Sequence, residues 1–260
     1  MAKISIEEII DYSFCPMLYV LKYTTSEYKN ININLLEKYD KDIHKVIYKC
    51  LNEIKDNKQI ALKDIKTFWG KEWIKDKRKT HLAFGDTLLT KDSYNVKRKK
   101  GLELLMNFFY KFSSEVYTPL IINKKYNIKI NNKLTLTNTI ELVREMEDGT
   151  IELITFITDK NNNTANNLKI MADYYVCKGI FKNKNIQHTV FNLEKNNCKS
   201  NIVIEKKIEF FKYNIFNIYK AIYNKLYYIN SGTHCYNCIY KSSCNKRMNS
   251  IIDKIFNKEV

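Results

Sequence analysis

The sequence runs to 260 residues, 45% of them hydrophobic, which is enough to bury one large core without division into several domains. Its two prolines and six glycines are scattered, so no Pro-rich or Gly-rich linker marks a boundary, and no segment approaches the roughly 18 uninterrupted apolar residues of a membrane span. A formal charge of +16 favours a polyanionic partner, nucleic acid first, although 40 of the 44 basic residues are lysine, a bias that AT-rich coding also produces. With no basic-then-apolar leader at the start, a cytoplasmic protein without membrane contact is expected, and in that reducing compartment seven cysteines point to metal ligation rather than disulfides.

Ser5 and Glu8 form a capping-box pattern ahead of Ile9, Ile10 and Tyr12, predicting a short helix that delivers Cys15-Pro16 at its end. From Asp42 to Ile54 the apolar residues Ile43, Val46, Ile47, Cys50, Leu51 and Ile54 recur at helical spacing, with His44 beside the stripe. Further helical patterns span Leu62 to Lys75 and Lys99 to Phe112, set apart by the basic runs Lys75–Lys79 and Lys97–Lys100. The period then becomes two: Tyr126, Ile128 and Ile130 alternate with polar residues, and segments 134–145 and 150–158 read as strands joined by the turn Glu147-Asp148-Gly149. After an Asn-rich loop come a helix over Leu168–Phe181, strands over His188–Leu193 and Ile202–Ile204, and a long helix from about Lys206 to Tyr228. The expected fold is α/β or α+β in one domain over 1–260: a helical lobe over about 42–115, a sheet core over about 120–205, and a C-terminal helix with its tail over about 206–250.

That tail carries Cys235, Cys238 and Cys244 as C-x2-C-x5-C, three thiols within ten residues. Tetrahedral zinc and cubane iron-sulfur clusters each need four ligands, so a fourth thiolate must come from elsewhere. Cys15, beside a proline at a helix end, is the best candidate; Cys198, in an Asn/Lys loop, is the rival, while Cys50 and Cys177 sit in helical patterns and read as buried small hydrophobes. Spacing alone leaves iron-sulfur and zinc both open.

Taken with these cysteines, Ser-Phe-Cys15-Pro-Met-Leu-Tyr, the Asp-Ile-His44 helix and the strand pair around Glu141 resemble the RecB-type PD-(D/E)XK nucleases that carry an iron-sulfur cluster, a group that includes CRISPR-associated exonucleases and the AddB nuclease domain. The resemblance covers about residues 4 to 247. It implies a restriction-endonuclease-like core sheet flanked by helices, a helical insertion, and a 4Fe-4S cluster on Cys15, Cys235, Cys238 and Cys244 stapling the tail to the first helix. It also implies DNA as partner and hydrolysis with magnesium or manganese.

The same resemblance marks what has changed. His44 matches the helical histidine, and Glu141 in Asn138-Thr-Ile-Glu141 stands where the family has aspartate, with Asn138 in the place of a glycine. Thr155 and Ile157 occupy the positions of the acidic residue and the lysine, and Ile170 that of the glutamine four residues before Tyr174. Asp159 shares the strand face of Thr155 but lies about 13 Å further along, and Lys160 points the other way. The expectation is a nucleic-acid-binding iron-sulfur protein of nuclease fold that does not cut, with His44 and Glu141 as remnants. The alternatives are a scaffold subunit of a DNA-processing complex and an active exonuclease with relocated groups. Tyr219, Tyr223, Tyr227 and Tyr228 are expected in core packing, with stacking on bases the alternative.

Overall fold

A computed structural model describes residues 2–25, 35–74, 91–112, 117–158, 166–201, 206–238 and 240–256, and within them a mixed six-stranded sheet is flanked by helices. The strands are β1 (Ala2–Ser5), β2 (Pro119–Lys129), β3 (Leu134–Glu145), β4 (Ile151–Ile157), β5 (Ile186–Asn192) and β6 (Asn197–Asn201). The helices are α1 (Ile6–Phe14), α2 (Pro16–Tyr19), α3 (Leu35–Lys55), α4 (Leu62–Ile74), α5 (Lys91–Phe112), α6 (Asn166–Ile180), α7 (Lys206–Tyr223) and α8 (Lys241–Phe256), with a wider π-type turn over Val20–Thr24.

The central strand β3 has two different edges. Along one, β2 runs antiparallel from Lys129 opposite Thr135 to Pro119 opposite Arg144. The other edge is shared: β1 pairs in parallel with Leu134–Thr137, β4 pairs antiparallel with Leu142–Glu145, and residues 138–141 between them pair with neither. Beyond Ile154 the strand β4 leaves β3 and continues beside β5, parallel to it up to Ile157 opposite Asn192. Parallel neighbours need a crossover, and α6 supplies it.

Each face of the sheet buries its own apolar set. Ile43, Val46, Ile47 and Leu51 of α3 pack with Trp69, Trp73, Leu104 and Phe108 of the next two helices against Leu142, Ile154, Phe156 and Phe191. On the opposite side Ile6 and Ile9, Ala172 and Cys177, and Phe211 and Ile215 from α1, α6 and α7 close over Leu136, Val143 and Leu153. A buried ion pair spans β3 and β4, Arg144 Nε to Glu152 Oε2 at 2.6 Å, with the guanidinium 4.7 Å from the Tyr117 ring. No helix among the described residues is long and apolar enough to cross a membrane.

Several expectations are met in detail. Ser5 Oγ accepts from the Glu8 N–H at 3.1 Å while Glu8 Oε2 accepts from the Ser5 N–H at 2.8 Å, and Cys15 closes α1 with its N–H on the Asp11 carbonyl. The Glu147-Asp148-Gly149 turn exists, with Gly149 at a φ of +78 that favours glycine. Others need correction. Helix α7 stops at Tyr223 rather than Tyr228, because Lys225 takes a left-handed φ of 55 and the N–H groups of Lys225 and Leu226 turn back onto the carbonyls of Ile222 and Ala221. The basic run Lys97–Lys100 lies inside α5 instead of separating helices, β1 went unforeseen, and Cys198 lies in β6 opposite Phe191 rather than in a loop. The strand expected at Ile202–Ile204, the basic run Lys75–Lys79, and Asp159 and Lys160 lie outside the described residues.

One close approach yields a sharp test. Gly101 in α5 faces Trp69 so closely that a Cβ would overlap the indole ring. Gly101→Ala improves helix propensity by about 1 kcal/mol, but overpacking of this kind costs roughly 1–3 kcal/mol. The variant is therefore expected to unfold at lower denaturant concentration than the parent; a higher midpoint contradicts this packing.

Candidate functional site

Where β3 and β4 part, side chains take over the work of the ladder. The Phe156 N–H, which no longer meets β3, donates to Glu141 Oε2 at 2.8 Å, and the Phe156 carbonyl faces His44 Nε2 at 3.3 Å. His44 is also 4.0 Å from Glu141 Oε2, while its Nδ1 lies 3.5 Å from Asp40 Oδ2, one turn earlier on α3; Thr158 Oγ1 donates to the same aspartate. The expected pair His44 and Glu141 is thus brought together, but both groups are engaged with the β4 backbone, whose polar atoms must be paired once buried.

The charges here are strongly coupled. Burial pushes His44 down, but the hydrogen bond with Asp40 and the nearby Glu141 and Asp40 carboxylates outweigh it and raise the imidazole to about 9. Glu141 is raised by burial, in spite of His44 and Lys169 nearby. Burial acts upward on Asp40 as well, but its bonds with His44 and Thr158 bring it below the ordinary carboxylate value.

Thr155 lies on the side of β4 that faces α6, at the centre of a second buried network. Asp173 of α6 accepts at Oδ1 from Asn138 Nδ2 at 2.7 Å and from the Lys169 ammonium, and at Oδ2 from Thr155 Oγ1 at 3.4 Å. Lys169, one turn earlier on the same helix, also donates to the Thr139 carbonyl at 2.7 Å, within the stretch of β3 that pairs with neither β1 nor β4. Thr155 Oγ1 lies 3.1 Å from His188 Nε2. Since the hydroxyl gives its proton to the carboxylate, the histidine must donate, which leaves Nδ1 as a bare acceptor; burial and the Lys169 charge hold this ring neutral, down at about 3. Asp173 itself is raised by burial against three donors that pull it down.

The expectation that charged groups are missing around Thr155 is not met. At Thr155 a carboxylate and an ammonium are present after all, delivered by α6 as Asp173 and Lys169, while Ile157 and Ile170 remain apolar. Their signal in the sequence was faint: an i,i+4 Lys/Asp pair inside a helix of mixed character.

The expected cysteines lie on two segments that meet near the far end of α1. Tail and first helix are joined by main-chain and side-chain bonds: Tyr12 Oη donates to the Leu226 carbonyl at 2.5 Å, the Met17 N–H to the Tyr228 carbonyl at 3.2 Å, and Asn230 Nδ2 to the Phe14 carbonyl at 2.9 Å. The rings of Phe14 and His234 are 4.5 Å apart, and Tyr19 stacks on Tyr227. This brings the four sulfurs within reach of one another's charge. Cys238 is raised by burial and by Cys15 and Cys235, and Cys244 by burial and by Cys15, Cys238 and Cys235. The Tyr240 N–H donates to the Cys238 sulfur, the kind of bond that favours a thiolate. Among the described residues no three His, Cys, Asp or Glu side chains converge on a single ion. Cys50 and Cys177 are buried in the two apolar cores, as their spacing predicted, and burial pushes each thiol up to about 12; Cys198 is exposed on β6.

Compared with known families and with curated proteins, the chain matches none.

Because the folded pKa of His44 lies above its ordinary 6.5, its contribution to stability is present in full below about 6.5 and is lost as the pH rises through about 9. Unfolding free energy is expected to fall by roughly 1–3 kcal/mol more in the parent than in His44→Gln over that interval. Parallel pH profiles for the two proteins contradict the coupling.

Proposed function

We propose that this chain is a nucleic-acid-binding protein built on the core of the iron-sulfur RecB-type PD-(D/E)XK nucleases, with a cleft that its own lysine has closed and that does not cut. The chain order β2, β3, β4, α6, β5, with β3 and β4 splaying around Glu141 and Thr155, supports the nuclease-type core. The observation that carries the silent cleft is the position of Lys169. Its ammonium lies against Asp173 Oδ1 and the Thr139 carbonyl, so the carboxylate nearest the lost acidic position is neutralised by a resident cation. Both oxygens of Asp173 have protein donors, so it presents no free face to magnesium, which keeps waters and takes carboxylates in near-octahedral geometry, and Glu141 commits Oε2 to the Phe156 N–H.

Cys15, Cys235, Cys238 and Cys244 would hold the 4Fe-4S cluster of this family, or zinc in its place. Its contribution is a cross-link between α1 and the tail. Burial first, and neighbouring cysteine sulfurs second, raise Cys238 and Cys244, and repulsion between thiolates is the kind that a bound cationic centre relieves.

A second reading is favoured by the arrival of Asp173 and Lys169 at Thr155: an active metal-dependent DNA exonuclease with catalytic groups moved from β4 to α6. A scaffold subunit in a DNA-processing complex shares the silent cleft and differs in having no affinity for nucleic acid. Holoprotein with manganese is expected to leave single-stranded and duplex DNA intact while binding oligonucleotides in a salt-sensitive manner. Cutting that Asp173→Asn and Glu141→Ala both abolish would establish the second reading; failure to bind at low salt would leave the scaffold. Separately, Cys15→Ser is expected to lose the metal bound by the parent, iron in the 4Fe-4S reading, and to lower the unfolding temperature. Unchanged metal content in that variant contradicts the four-cysteine site.

A further inference from the structure

We propose that the exposed face of α7 is a stacking platform for single-stranded nucleic acid, separate from the closed cleft; this rests on the reading that the chain binds nucleic acid and adds where and in what form. A surface helix normally turns polar residues outward once its apolar stripe is buried. The stripe of α7 is satisfied by Phe211, Ile215 and Ile222, all in the core. Yet the opposite face carries Phe210, Tyr213 and Tyr223 at 64%, 63% and 74% exposure, with the half-buried Phe216 between them. At the helical repeat these four rings fall within one broad outward sector, from Phe210 to Tyr223 about 20 Å along the axis.

Tyr223 was expected in the core and is the most exposed of them. Of the four tyrosines that the sequence offered, Tyr219 and Tyr227 pack against the core, and Tyr223 and Tyr228 face solvent.

Exposed rings alone do not select a partner, but the charges among them do. Lys220 projects from the same face with its ammonium 4.5 Å from the Phe216 ring, and the exposed Lys225 follows at the helix end. The acidic residue on this face, Glu209, is neutralised by Lys212 at 2.8 Å. Rings interleaved with lysines, on a chain of charge +16, suit a strand whose phosphates need cations and whose unpaired bases need flat apolar surfaces. A duplex hides its bases and would engage only the lysines.

The test is the affinity of the intact protein for a labelled oligothymidylate, read by fluorescence anisotropy over a series of salt concentrations. Each of Tyr213→Ala and Tyr223→Ala is expected to weaken binding roughly five- to 150-fold with little change in salt slope, whereas Tyr213→Phe and Tyr223→Phe retain it. Lys220→Gln and Lys225→Gln are each expected to lower the slope by about 0.7. Tyr110→Ala, an exposed ring on α5, serves as the control and leaves binding unchanged. If the parent binds and the alanine variants bind equally well, the platform is wrong while the nucleic-acid reading stands. If the parent does not bind, both fall. Alanine variants that abolish self-association but leave oligothymidylate affinity intact would make this face a protein interface and overturn the proposal.

Discussion

The buried pair of Lys169 and Asp173, on consecutive turns of α6, fixes how that helix meets the sheet. An aspartate at 1% exposure is tolerated only with a cation and hydrogen-bond donors at hand, and Lys169, Asn138 and Thr155 supply them. The lysine in turn caps the Thr139 carbonyl, in a stretch of β3 that pairs with neither β1 nor β4 on that edge. Removing one partner of a buried pair typically costs about 3–5 kcal/mol, because the other is left charged in an apolar setting. Side chains thus bridge the opening between β3 and β4, from α6 on one side and through His44 and Glu141 on the other.

On the proposed reading, this accounts for acidic groups that persist in a cleft that does not cut. In the splayed region Glu141 and His44 serve the Phe156 N–H and carbonyl, so deleting either leaves an unpaired backbone group inside the protein. Selection for folding is enough to keep them. A second constraint acts at distance in sequence: Tyr12, Phe14 and Met17 hold the segment Leu226–Asn230, which brings Cys15 to the three cysteines of the tail. Closing a loop of more than 200 residues carries a chain-entropy term of roughly 5 kcal/mol, which explains why polypeptide contacts, and in the proposed account a metal centre, share that task.

Much of the architecture was legible because it rests on local periodicity. The stripe Ile43, Val46, Ile47, Cys50 and Leu51, the capping box at Ser5, and the 134–145 and 150–158 hairpin all express one period or one turn, and they stand within a residue or two of where the pattern put them. The α5 start lies several residues before the pattern because Lys91–Arg98 is too polar to show a stripe, whereas in α3 Leu36 and Tyr39 do continue the stripe of Ile43 and Val46 and mark the earlier start. The end of α7 was missed because a lysine occupies the left-handed position that usually goes to glycine. β1 is only four residues and gains its strand character from parallel pairing with β3, which no local pattern reveals. The site divides in the same way. His44, Glu141 and the cysteines were findable from motifs, whereas Asp173, Lys169 and His188 join Thr155 only through the β4, α6, β5 crossover. A position-by-position comparison with a family motif has no means to see a group that arrives from another element.

The claim that Lys169 stands where a divalent ion would otherwise sit is open to direct titration with manganese, followed by electron paramagnetic resonance on the parent and on Lys169→Ala. The account predicts no bound manganese in the parent and a new site in the variant, lost again when Asp173→Asn is added. Manganese held by the parent through Asp173 and Glu141, with Lys169→Ala binding no better, would contradict it.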